Sequence, residues 1–104
     1  MAATKFLTLP AEPEAAGRLQ RALEAFQKAQ GLLLTAHRRL KDLPPADVER
    51  FWAAAGYRLE RHLHAVAVEV DAAFRASSAA GLVASADDRH LVNQAQRHLA
   101  EGGR

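Results

Sequence analysis

Residues 19–43 read LQRALEAFQKAQGLLLTAHRRLKDL, and this stretch decides the fold. Leu19, Phe26, Leu33 and Leu40 recur every seven residues, and Ala22, Ala29, Ala36 and Leu43 each follow three residues later. A helix brings residues three, four and seven apart onto one face, so these positions form a single apolar seam. Its alanines present only a methyl group, which lets a neighbouring backbone come close. Pro44-Pro45 ends the seam, because the residue before a proline avoids the helical region and a proline nitrogen donates no hydrogen bond.

Outward from the seam, the first helix is expected over about residues 14–41. Pro13 suits its first turn, Glu14 lies at its positive end, and Arg38, Arg39 and Lys41 lie at its negative end. Gly17 and Gly31 each weaken it by about 1 kcal/mol relative to alanine. A second helix is expected over about residues 45–80. Asp47 and Glu49 stand in its first turn, and Val48, Trp52, Ala55, Leu59, Leu63, Val66, Val70 and Ala73 form an apolar stripe. The alternation of Val66, Val68 and Val70 is a local strand signal, but no turn residue separates Gly56 from Ser77 and a lone strand would have no partner, so helix is the expectation. Gly81 is a good helix C-cap. A third helix is expected over about residues 86–100, with Ser85 and Asp88 at capping-box spacing. Residues 1–12 read as an extended arm, residues 13–101 as one helical domain and residues 102–104 as a flexible tail.

The composition agrees with this architecture. In 104 residues, 49% are hydrophobic, 25% charged and only 6% aromatic, with alanine supplying much of the apolar share, which favours helix over sheet. A chain of this length buries only about two-thirds of its unfolded surface as a monomer, so a second subunit would help it. Fourteen basic residues stand against twelve acidic ones, and a formal charge of +2 is not in itself a nucleic-acid composition. The absence of cysteine excludes disulfides and thiolate metal sites. The opening residues lack the apolar run of a signal peptide and no window approaches a membrane span, so a cytoplasmic, bacterial protein without membrane contact is the expectation.

With the turn centred near residue 44, residues facing each other across the hairpin have numbers summing to about 88, so Leu33 lies near Ala55 and Leu19 near Val70. A third helix about 22 Å long, folding back from Gly81, reaches only to about residue 68. The half of the hairpin nearest the prolines is then left uncovered. It contains Leu32, Leu33 and Leu34 in succession, with Phe51, Trp52 and Tyr57 opposite. Successive helical residues point about 100° apart, so at least one of these leucines faces away from the seam. The expected fold is all-α: a long antiparallel helical hairpin plus a short third helix, forming a four-helix-bundle-type homodimer. Its expected interface residues are Leu32, Leu34, Val48, Phe51, Trp52 and Tyr57. The alternative is that the N-terminal arm, through Phe6, Leu7 and Leu9, covers the patch within one chain.

Candidate chemistry is sparse. The segment Ala36-His37-Arg38-Arg39-Leu40-Lys41 resembles the histidine-phosphotransfer family, four-helix domains of about this size with a helical Ala-His-x-Leu-Lys-Gly motif. The resemblance implies a phosphoryl-accepting His37. An extra residue separates His37 from the Leu-Lys pair here, and Asp42 replaces the small residue of the motif. Among metal-type residues, Glu60 and His64 share a face, but His62 and His64 point about 200° apart on a helix. His90 and His98 add two more imidazoles, yet the Glu-x-x-His pattern of di-iron bundles is absent. Ser77, Ser78 and Ser85 read as helix-end residues rather than nucleophiles. No catalytic residue, cofactor or metal is therefore expected. Residues 14–43 hold six basic residues against three acidic ones, which makes Arg38, Arg39 and Lys41 candidates for phosphate or nucleic-acid contact, with Arg58 and Arg61 as a second patch. The leading expectation is a non-catalytic protein-protein interaction module, such as a small regulator, adaptor or assembly subunit. A nucleic-acid-binding accessory subunit and a phosphotransfer domain stand behind it.

Overall fold

The computed structural model of the chain describes residues 11–102. Among the described residues four α-helices follow one another: α1 (Ala11–Leu40), α2 (Pro45–Phe51), α3 (Tyr57–Ala79) and α4 (Ala86–Gly102), with a π-helical turn over Trp52–Gly56 joining α2 to α3. No strand occurs among the described residues. Helix α1 and the α2–α3 rod make the antiparallel hairpin, and α4 folds back over its base, so the chain is all-α.

The seam builds the core as its spacing requires. Leu19, Ala22, Leu23, Phe26 and Ala29 of α1 pack against Leu63, Ala67, Val70 and Ala73 of α3 and Val92 and Ala95 of α4. Phe26, Ala67, Val70, Ala73, Val92 and Ala95 are completely buried. Alanine at so many contact positions lets the helices come close, and Phe26 is the largest side chain fully buried between them. The valines that alternate like a strand separate on the helix, with Val70 buried, Val66 half-buried and Val68 exposed. Two cross-hairpin contacts carry the expected register: Arg18 meets Glu69 in a bidentate ion pair, and the ring of His37 lies 5.0 Å from that of Trp52.

Both turns have a clear chemical basis. Pro44 is extended, at φ −60° and ψ 149°, and its carbonyl accepts from the amides of Asp47 and Val48, so α2 starts on Pro45. At the base, Gly81 adopts φ +85°; its amide donates to the Ser78 carbonyl and that of Leu82 donates to Ser77, which is a Schellman cap. Ser85 then caps α4, its hydroxyl accepting from the Asp88 amide at 3.1 Å. This compact reversal starts α4 level with the end of α3.

Four differences from the sequence expectation follow. Helix α1 already includes Ala11 and Glu12, so the expected extended arm is not extended there; its first ten residues lie outside the described residues. Gly102 belongs to α4, and the remainder of the expected tail lies outside the described residues. Helix α4 reaches well beyond residue 68: Gln96 donates to Asp71 at 3.0 Å, and the ring of His98 lies 5.9 Å from that of His64. The tight base turn spends no helix length, which explains the longer reach. The second rod is not one uninterrupted α-helix, because the π turn inserts an extra residue between α2 and α3.

Candidate functional site: an uncovered hairpin tip

The core stops abruptly at Ala29 and Leu63. Between residues 30 and 60 only Leu40 and Gly56 are buried, although this span carries three consecutive leucines and three of the chain's aromatic residues. The leucine triplet divides as the helical turn angle demands. Leu33 points inward and is half-buried, while Leu32 and Leu34 are 49% and 52% exposed. Across the tip Tyr57 is 57% exposed and Leu43 45%. Val48, Phe51 and Trp52 are half-buried, and α2 buries no residue at all.

The π turn shapes this surface. Trp52 folds its indole onto the α-carbon of Gly56: a methyl group added there would sit 1.8 Å from Trp52 Cε3. Only glycine permits that approach. The indole is the hub of an aromatic cluster, with the Phe51 ring at 5.4 Å in an edge-on arrangement, His37 at 5.0 Å and Tyr57 at 6.0 Å. The expected interface residues Phe51, Trp52 and Tyr57 are thus brought together, and Leu32 and Leu34 project from α1.

Beside the cluster the space between α1 and α3 is open. A groove of about 700 Å³ is lined by Leu33, Tyr57, Glu60, Arg61, Leu63, His64 and His98. A smaller one, about 250 Å³, is lined by Gln30, Leu33, Leu34, His37 and Leu63. Leu33 and Leu63 floor both, so the two run together just where α4 ends.

The polar candidates disperse. His37 is exposed against Trp52, and the helix ends at Leu40, which leaves Lys41 and Asp42 of the phosphotransfer-like segment in the turn. Arg38, Arg39 and Lys41 are exposed and form no ion pair among the described residues. His90 is tied into a polar chain instead: Gln30 donates to Gln94 at 3.3 Å, whose amide lies 2.9 Å from His90 Nε2. Among the described residues no group of three or more histidines and carboxylates could hold a metal ion. The Ser77 hydroxyl donates to the Phe74 carbonyl at 3.1 Å, a helix-internal bond.

Ionisation is perturbed at the base of the hairpin. Hydrogen bonding from Arg18 holds the Glu69 carboxyl below its ordinary range, and Arg18 is correspondingly raised. Hydrogen bonds from Gln96 and Arg75 lower Asp71 likewise. These groups fix the α1–α3 and α3–α4 registers, and they lie away from the uncovered face.

Sequence reasoning missed the π turn and the His64–His98 approach. The first had a signal: Ala53, Ala54, Ala55 and Gly56 form a run of small residues directly behind a tryptophan. No family model, no curated protein and no solved structure matches the chain. Among the described residues no helix is long and apolar enough to cross a membrane.

Proposed function

We propose that the protein is a non-catalytic interaction module of the bacterial cytoplasm, a small regulator, adaptor or assembly subunit, whose binding surface is the hairpin tip and whose first partner is a second copy of itself. One observation carries this reading. Leu32, Leu34, Leu43 and Tyr57 remain about half exposed around a half-buried aromatic cluster, beyond the point where the chain's own core ends. Exposed apolar side chains gathered at one end of a hairpin are costly in water and are characteristic of protein contact sites.

Hydrogen exchange at two protein concentrations tests the reading. The expected result is that peptides covering residues 30–37 and 48–60 gain protection as concentration rises, while those from the base of α4 do not change. Protection independent of concentration, or a change confined to the base, contradicts it.

The exposed Arg38, Arg39 and Lys41, which pair with no carboxylate among the described residues, support a second reading as a nucleic-acid accessory subunit. It requires DNA or RNA affinity that falls steeply with salt and is lost when all three are replaced by glutamine. Salt-insensitive or undetectable binding disposes of it.

A further inference from the structure

Of the chain's five histidines, His64 and His98 are the pair whose rings meet among the described residues. His37 is engaged with Trp52 and His90 with Gln94, and His62 points about 200° away from His64 around α3. The helix register makes the meeting. Ala67 of α3 and Ala95 of α4 are completely buried where the two helices pack, and three residues back along α3 and three on along α4 stand His64 and His98. Alanine at that level lets the backbones come close, so the rings that follow lie 5.9 Å apart between centroids, tilted by 57°. Both line the open groove over Leu33 and Leu63; His64 is exposed and His98 half-buried, so solvent reaches them.

We propose that His64 and His98 together bind a divalent transition-metal ion of the Zn(II), Cu(II) and Ni(II) group, and that the bound ion ties the end of α4 to α3. A neutral imidazole offers each of these ions a nitrogen lone pair, the ligand type they favour. The separation fits. An ion about 2.0–2.1 Å from each ligating nitrogen sits about 3.2 Å from each ring centroid, so two imidazoles on one tetrahedral ion have centroids about 5.2 Å apart. The pair stands about 0.7 Å wider than that. Small side-chain rotations close the difference, and the broad outer torsion of histidine turns a nitrogen towards the ion. Among the described residues no third histidine or carboxylate joins the pair in a ligating position, so water completes the shell. Such a site exchanges its ion, unlike a closed four-ligand structural centre. Glu60 and Arg61 line the same groove with opposite charges, and Arg97 and Glu101 flank His98 along α4, so neither sign dominates beside the rings. The site is independent of self-association at the tip.

Titration of zinc chloride into the natural chain, followed by calorimetry in a buffer without metal affinity, is the test. One ion per chain is expected. Two linked ligands bind far better than one, so His64→Gln and His98→Gln are each expected to weaken binding about tenfold or more. His62→Gln and His90→Gln, distant from the pair, are expected to stay within about twofold, and Mg(II), which demands oxygen ligands, to give no heat. Circular dichroism verifies that each variant keeps its helix content. With zinc in excess, amide exchange over residues 94–101 is expected to slow in the natural chain and not in His64→Gln. No zinc binding, or binding that survives both substitutions or falls equally in His62→Gln, overturns the site. Binding without protection of residues 94–101 overturns the tie between the helices.

Discussion

Replacing Gly56 with alanine sets two opposing effects against each other, and the structure decides the sign. In an ordinary helix interior the change stabilises by about 1 kcal/mol, because alanine loses less backbone entropy. Here the new methyl would lie 1.8 Å from Trp52 Cε3 and 2.6 Å from two further ring atoms. Such contacts are not tolerated, so the indole must leave its shelf. A half-buried tryptophan that swings out exposes about 100 Å² of ring surface, a loss of about 2.5 kcal/mol at about 25 cal/mol per Å². The aromatic contacts with His37, Phe51 and Tyr57 are lost with it. The net expectation is a destabilisation of about 1–2 kcal/mol, read from urea unfolding by circular dichroism at one fixed protein concentration. Trp52 is the only tryptophan, so native-state emission shifts to the red in the same samples. Equal or greater stability with unchanged emission would refute the indole-on-glycine packing.

Three further outcomes follow from the same geometry. Phe26→Ala empties the completely buried centre of the core and is expected to cost about 3–5 kcal/mol in urea unfolding; a loss below about 1 kcal/mol would mean that Phe26 is not central. Ser85→Ala removes the cap on the Asp88 amide and is expected to cost about 1 kcal/mol, with faster amide exchange confined to the first turn of α4. Glu69 and Asp71 both ionise more readily folded than unfolded, so the unfolded chain binds more protons as pH falls. Their contribution is present at neutral pH and is lost on acidification below about pH 4, and Glu69→Gln with Asp71→Asn is expected to flatten that acid limb. An unchanged slope of urea midpoint against pH would contradict the assignment.

The parts of the fold that depend on local repetition were legible in the sequence. The heptad spacing from Leu19 to Leu40, the double proline and the cap chemistry of Gly81 and Ser85 each act over a few residues, so they specify helices and turns on their own. The split of Leu32, Leu33 and Leu34 between inside and outside follows from the helical turn angle alone. What escaped depends on contacts across the chain. The π turn sets Trp52 against the bare α-carbon of Gly56, an approach that periodicity cannot register. The reach of α4 depended on how tightly residues 80–85 reverse, and the nearness of His64 to His98 is a product of that register. The tip residues Leu32, Leu34, Phe51, Trp52 and Tyr57 were recognisable as surplus apolar surface. The groove beside them became visible only once the end point of α4 was known.

The claim beneath all of this is that the prolyl end of the hairpin carries an apolar face meant for another chain. Solution mass by light scattering across a range of concentrations tests it most directly, comparing the natural chain with a Leu34→Ser, Tyr57→Ser variant. The natural chain is expected at twice the mass of one chain, and the variant, altered only at half-exposed positions, at the mass of one. A natural chain of single mass at every concentration, or a variant that pairs equally well, would contradict the account.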